Sequence, residues 1–286
     1  MIYKPQIAGR HVGSFRKDEG SHTLGQVRIE PSRNVVLNDN RNSYIRVGDS
    51  MYKLIAFDAY GTLFDVYSMG RLAEELFPGH GQALALMWRD RQIEYTRLVT
   101  MSDPNPNGSK YYLPFWELTI RSLRYVCKRM DLHLTPDYEK QLMDQYAKLT
   151  SFDDSLNVLK TIKEKGISTA ILSNGSKEML ATVVESNGLK PYLDKVVTIE
   201  DVRLFKTAPQ AYELLLTAFS VKKEEILFVS SNAWDALAAK WYGFDVFWVN
   251  RFGHPFEEIG EKPNFEGNAL SKVLDSIKTK ATLSMI

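Results

Sequence analysis

From Lys53 onward the chain alternates short apolar runs, each ending in polar residues, with stretches of helical period. That alternation limits the fold to parallel strands joined by helices. The runs Leu54 to Phe57, Thr169 to Leu172, Ile226 to Val229 and Val246 to Val249 predict strands. Between them, Ser155 to Lys165 and Lys177 to Asn187 predict helices, closed by Gly166 and Gly188. The stretch from 66 to 149 breaks the alternation and reads as consecutive helices, with Leu84, Trp88, Tyr95 and Leu98 on one stripe and Tyr138, Leu142, Tyr146 and Leu149 on another. The expected fold is α/β: a Rossmann-like parallel sheet core with helices on both faces (51–65 and 150–286) and an inserted all-helical cap (66–149).

Residues 1–50 differ from the rest. They are punctuated by Gly and Asn and show no sustained helix period, although Val35-Val36-Leu37 and Ser43-Tyr44-Ile45 are able to pair as strands. The expectation is an atypical, loosely ordered N-terminal extension, with the functional protein starting at Met51. The 286 residues carry 36 basic and 35 acidic side chains, a formal +1. Residues 1–50 hold eight basic against five acidic, so the remainder carries 28 against 30, a formal −2. A body this nearly neutral lacks the basic excess of a nucleic-acid binder, which leaves a small molecule or a protein as partner. The single cysteine, Cys127, rules out an internal disulfide and fits a reducing compartment, and no run reaches the roughly 18 apolar residues of a membrane helix. Lys4, Arg10, Arg16, Lys17 and Asp18 interrupt any signal-like core, so a cytoplasmic location is expected.

Open parallel sheets hold their ligands at the carboxyl edge. The predicted strands end there in Asp58, in Ser173 and Asn174, and in Ser230, Ser231 and Asn232; Lys206 lies in a loop and Asp235 one turn beyond Asn232. Such residues also serve simply as turn formers and helix caps, Asn232 and Ser176 among them. Asp58, however, enters a tight turn through Tyr60, Gly61 and Thr62 that exposes its carboxylate. A carboxylate so placed acts as metal ligand, general base or covalent nucleophile. A magnesium site usually recruits more than one carboxylate, and acids are scarce around Asn232. Lys206 is able to supply a positive charge from the protein itself, which favours a nucleophile that uses neither metal nor cofactor. The five histidines show no metal-ligand spacing and no neighbouring nucleophile, and there is no G-x-S-x-G elbow.

Four segments carry a specific resemblance: Phe57 to Val66; Trp88-Arg89 with Gln92 to Tyr95; Ile171 to Ser176; and Phe228 to Asp235. In their order and spacing the chain resembles the haloacid dehalogenase superfamily, and within it the L-2-haloacid dehalogenases. Phosphatases of that superfamily usually carry a second Asp two residues after the nucleophile, where this chain has Tyr60. The resemblance implies hydrolysis of (S)-2-haloalkanoic acids to (R)-2-hydroxyalkanoic acids plus halide, with Asp58 attacking C2 to form an ester that water then cleaves at its carbonyl carbon. It implies that Lys206 and Asp235 keep the nucleophile charged and activate water, that Thr62 and Ser230 position the Asp58 carboxyl, and that Ser173 holds the substrate carboxylate. Arg89 with Asn174 would accept the halide, Asn232, Trp234, Tyr60 and Phe115 would wall the pocket, and Tyr212 would support Lys206. A homodimer is implied as well. A halide leaves without a proton, so Tyr60 in place of an acid does no harm to this reaction, whereas it would impair phosphate-ester hydrolysis. The competing expectations are a magnesium-dependent phosphatase of the same superfamily and a non-catalytic binding protein on the same fold. Thr207 follows Lys206 where the family has proline, and the loop from Ser102 to Tyr112 is longer than usual and is expected between cap helices near the site entrance.

Overall fold

The computed structural model describes residues 52–277 and two strands before them, β1 (Val35–Asn38) and β2 (Ser43–Arg46). These two pair antiparallel, Val36 opposite Ile45, as a hairpin in the unit Met1–Gly48; the remaining expectations for 1–50 lie outside the described residues.

In the unit Asp49–Ile286 the strands are β3 (Leu54–Phe57), β4 (Ser168–Ser173), β5 (Lys195–Thr198), β6 (Ile226–Ser230), β7 (Asp245–Val249) and β8 (Phe265–Gly267). They form one parallel sheet in the order β5-β4-β3-β6-β7-β8. The four central strands are those the apolar runs predicted. The edge strands β5 and β8 went unpredicted, because β5 opens on two exposed residues and β8 has only three residues.

Both faces of the sheet are covered, which is why its inner strands are uniformly apolar rather than alternating. Ile55, Phe57, Ile171, Leu227 and Val229 join one buried cluster and Leu54, Ala56, Leu172, Ile226 and Phe228 the other. Helices α5 (Ser155–Glu164) and α6 (Lys177–Ser186) supply Leu159, Ile162, Leu180 and Val183 to the first face. Helices α7 (Pro209–Phe219) and α8 (Ala233–Tyr242) supply Tyr212, Leu215, Ala236 and Ala239 to the second. Gly166 and Gly188, at φ +72° and +65°, follow α5 and α6 where expected.

Between β3 and α5 run four helices: α1 (Met69–Leu76), α2 (Gly81–Met101), α3 (Phe115–Arg129) and α4 (Pro136–Ala147). Thr135 caps α4 through the Tyr138 N–H and Pro136 opens it, while Leu149, placed on its stripe, is buried beyond its end. On α2 the expected stripe is corrected. Leu98 is 59% exposed, and the buried face runs through Leu84, Trp88, Gln92, Thr96 and Thr100 at i, i+4 intervals. Hydrophobicity misplaced that face because three of its five members are polar. Accordingly, Leu98→Lys should change unfolding free energy by no more than about 0.5 kcal/mol, while Trp88→Ala, at a 3% exposed position, should cost about 3–5 kcal/mol in urea titrations.

Candidate functional site

The chain leaves β3 for β4 on one side and reaches β6 on the other, so a crevice opens at the carboxyl end of β3, the position where open α/β sheets bind ligands. Asp58 stands there, its N–H bonded to the Val229 carbonyl at 2.9 Å. The chain then turns sharply: Leu63 and Phe64 donate back to the Ala59 carbonyl, and Gly61 adopts φ +92°, a conformation side chains resist. This turn brings the Thr62 hydroxyl within 3.0 Å of Asp58 Oδ2, while Thr62 Oγ1 also accepts the Ser231 N–H at 2.8 Å.

Lys206, 1% exposed, enters from the loop before α7. Its Nζ lies 3.0 Å from Asp58 Oδ1 and 2.9 Å from Asp235 Oδ2. Asp235, fully buried in the first turn of α8, also accepts from the Tyr212 hydroxyl at 2.7 Å and from Ser230 Oγ at 3.1 Å. Burial by itself lowers the lysine pKa, but attraction to Asp235 and then Asp58 outweighs it and holds the ammonium above its ordinary value. Burial raises the Asp235 carboxyl above the usual carboxylate range; Lys206 opposes this, Asp58 adds to it, and the Tyr212 hydrogen bond opposes it. Burial and then Asp235 push Tyr212 well above its ordinary value.

Asn232 heads α8 by position, yet its side chain does not cap the helix. It donates to Asp58 Oδ2 at 2.8 Å and to the Tyr60 carbonyl at 3.1 Å. Ser176 does cap α6, through the Met179 N–H. Arg89, on α2, reaches the same place, donating to the Tyr60 carbonyl at 3.2 Å and Asn232 Oδ1 at 3.5 Å. The structure therefore gathers Asp58, Thr62, Arg89, Lys206, Tyr212, Ser230, Asn232 and Asp235.

Several expected roles change. Ser230 bonds Asp235 rather than Asp58, and Asn232, expected as a wall, is a direct donor to the Asp58 carboxylate. Tyr212 supports Lys206 indirectly, through Asp235, which it bonds on the oxygen that the ammonium leaves free. Asn174 spends its carbonyl on the Lys206 N–H at 3.0 Å, which turns its NH₂ away from that peptide, and Ser173 Oγ accepts the Gly175 N–H at 3.1 Å. Tyr60 and Phe115 are both buried, their rings 5.9 Å apart, with Tyr60 also stacked on Tyr146 at 5.6 Å. Trp234 is half-buried and faces the Arg97 guanidinium at 5.3 Å. The 102–112 loop packs against the lysine loop: Ser109 N–H donates to the Arg203 carbonyl.

Two residues at the site had no role in the sequence reading, Gln92 having been noted only as part of a resembling segment. Gln92, 1% exposed, accepts from Arg89 at 2.7 Å and donates to Thr119 Oγ1 at 2.6 Å, so it holds the arginine in place. Its signal was a polar residue four positions after Trp88. Arg251, just past β7, donates to the Thr62 carbonyl at 2.9 Å and Ser231 Oγ at 2.7 Å, and lies 3.8 Å from the Phe152 ring centroid. It thus braces both ends of the Thr62–Ser231 contact. A cavity of about 200 Å³ lined by Ser231, Asn232, Trp234 and Arg251 adjoins the Asn232 loop, but neither Asp58 nor Lys206 lines it. Among the described residues, no three of His, Cys, Asp and Glu converge as a metal-binding group. Nor is any helix among them long and apolar enough to cross a membrane.

Residues 52–243 match the family model described as haloacid dehalogenase-like hydrolase. The (S)-2-haloacid dehalogenase of Pseudomonas sp. (strain YL) is 38% identical over 80% of this chain and 96% of its own length. Haloacetate dehalogenase H-2 of Moraxella sp. (strain B) is 37% identical over 74% and 91%. Among solved structures, L-2-haloacid dehalogenase RSc1362 superposes with a TM-score of 0.77 at 46% identity, covering 80% of this chain and 99% of that one. The Xanthobacter autotrophicus L-2-haloacid dehalogenase with chloropropionic acid covalently bound gives 0.73 at 30% identity, with the same coverage.

Arg251→Met should destabilise the protein by about 2 kcal/mol in urea titrations. Arg251→Lys should recover less than half of that, because one ammonium cannot reproduce the guanidinium fork.

Proposed function

The chain belongs to the haloacid dehalogenase-like hydrolases, and from that premise we propose that it is an (S)-2-haloacid dehalogenase. The single observation that carries the reading is the setting of Asp58. One carboxylate oxygen faces the buried Lys206 ammonium and the other accepts from Thr62 and Asn232, while Tyr60 stands where an acid would serve a poorer leaving group.

In this mechanism Asp58 attacks C2 of the haloacid opposite the halogen. The C–X bond breaks with its electron pair on the departing halide, and an ester forms with inversion. Arg89 donates to the leaving halide, with the Asn174 NH₂ beside it, and Ser173 holds the substrate carboxylate. Water, losing its proton to Asp235, adds to the Asp58 carbonyl carbon. Collapse frees Asp58 and an (R)-2-hydroxy acid, and the halide and one proton are the other products. Lys206 offsets the negative charge that Asp58 and Asp235 bring together, in a site dry enough for that attraction to be strong. Tyr60, Phe115 and Trp234 shape the apolar side of the pocket, and helices from 66–149 form the lid that excludes water. The same reading takes the protein as a cytoplasmic homodimer acting on a small anion without a cofactor. The cysteine count supports that location, since a single cysteine, Cys127, leaves no internal disulfide to be kept oxidised.

Halide release from (S)-2-chloropropionate should proceed undiminished in EDTA, with little from the (R) enantiomer, and a phosphate ester with Mg²⁺ should stay intact. A folded protein that releases no halide from either enantiomer would overturn the reading. Asp58→Asn should abolish turnover and leave the unfolding transition in place. The raised Asp235 pKa puts the acid limb of kcat/KM above the ordinary carboxylate value, with activity lost as pH falls through it. Tyr212→Phe removes a hydrogen bond that lowers that pKa, so the limb should move to higher pH.

A further inference from the structure

Lysine is a poor residue to place accurately by its side chain, because four methylenes separate the charge from the backbone. The 1% exposed Lys206 nevertheless sits within 3.0 Å of two different carboxylates, so its backbone must be held firmly. From the sheet side, Asn174 Oδ1 accepts the Lys206 N–H at 3.0 Å. From the other side the contacts come from the helical insertion. The Phe205 N–H donates to Thr100 Oγ1 at 3.1 Å, in a buried bond. The Phe205 ring stacks at 5.4 Å on Tyr112 and lies 6.2 Å from Phe115. Ser109 donates to the Arg203 carbonyl at 3.2 Å, and a Cβ on Gly108 would come within 2.8 Å of Arg203 Cβ. The insertion therefore lies directly on the backbone that carries the lysine.

We infer that Thr100 is a positioning residue for Lys206: its hydroxyl anchors the Phe205 peptide so that the ammonium lands between Asp58 and Asp235. Thr100 shares the buried stripe of α2 with Gln92, which holds Arg89. One helix face thus sets the registry of both cations of the site, the arginine through a side-chain amide and the lysine through a threonine hydroxyl. The consequence is specific to charge geometry. If Thr100 no longer fixes Phe205, Lys206 drifts from its partners Asp58 and Asp235 and the Phe228 ring, while Asp235 keeps Tyr212 and Asp58 as neighbours. Asp235 then loses the charge that lowers its pKa, and Lys206 loses those that raise its own.

The inference rests on the proposed dehalogenase reading, and the test separates the two. Halide release from (S)-2-chloropropionate is measured across pH for wild type, Thr100→Val, Thr100→Ser and Gly108→Ala, alongside the carboxyl ¹³C NMR titration of Asp235. Thr100→Val, nearly isosteric but without the acceptor, should lower kcat about tenfold with KM within about twofold, as expected when a catalytic group is misplaced by a fraction of an ångström. Its pH profile should narrow from both sides, the acid limb moving up and the alkaline limb down. Thr100→Ser should restore most of the rate and the width, and Gly108→Ala, which strains the loop at φ +101° as well as crowding Arg203, should narrow the profile again. Wild-type limbs and kcat in Thr100→Val, or equal impairment in Thr100→Val and Thr100→Ser, would overturn the inference whatever the change in Tm. Should Thr100→Val not fold, wild-type limbs in Gly108→Ala overturn it. If wild type itself releases no halide, the dehalogenase reading fails. The Asp235 titration then still decides the role of Thr100, an unshifted Asp235 in Thr100→Val counting against it.

Discussion

One ammonium group, almost completely removed from water and shared by two carboxylates, sets the terms for everything around it. An ion in a protein interior loses several kcal/mol of hydration, which is tolerable only when each charge has close partners and each remaining lone pair a donor. The arrangement meets that condition: Lys206 bridges Asp58 and Asp235, Thr62 and Asn232 serve the second oxygen of Asp58, and Tyr212 and Ser230 complete Asp235. Two carboxylates face one ammonium there, and the Arg89 guanidinium, hydrogen-bonded to Asn232, brings a second cation to the edge of the group.

The fold follows from the need to bring these groups to one point. Asp58 ends the central strand, Ser230 ends its neighbour β6, Asp235 follows in α8, and Lys206 comes from the segment that crosses from β5 to α7. A sheet whose order reverses at its central strand is the simplest way to make four such segments converge. Burial on both faces keeps the strand ends rigid, and Arg251 ties the turn after Asp58 to the turn after β6. The helical insertion supplies an arginine aimed at the crevice and a buried polar stripe, on α2, that touches both the arginine and the lysine loop.

Much of this was legible in the sequence. The four inner strands were readable because burial on both faces makes them apolar at every position, and α5 and α6 because glycines close them. The site residues stood out because polar groups at the ends of apolar strands have few structural reasons to cluster, and because the resemblance supplied their order. The edge strands β5 and β8 were not readable, since a half-wet or three-residue strand carries no distinct pattern. The buried face of α2 was misread for a related reason: a stripe containing Gln92, Thr96 and Thr100 looks like a solvent face until its hydrogen bonds are seen.

The sequence by itself determined the architecture and the residue types of the centre: a parallel α/β sheet with a helical insertion, a carboxylate after the first strand of that sheet, a lysine in a later loop, and few further acids around Asn232. Those properties depend on residue type and local period, which a linear chain displays. Only the tertiary structure decided the pairing. That Ser230 serves Asp235 and not Asp58, that Asn232 gives up helix capping to bind the carboxylate, and that Thr100 reaches Phe205 across 105 positions of sequence depend on distances of about 3 Å between segments far apart in the chain. Hydrogen bonds act only over such distances, and no one-dimensional pattern records them.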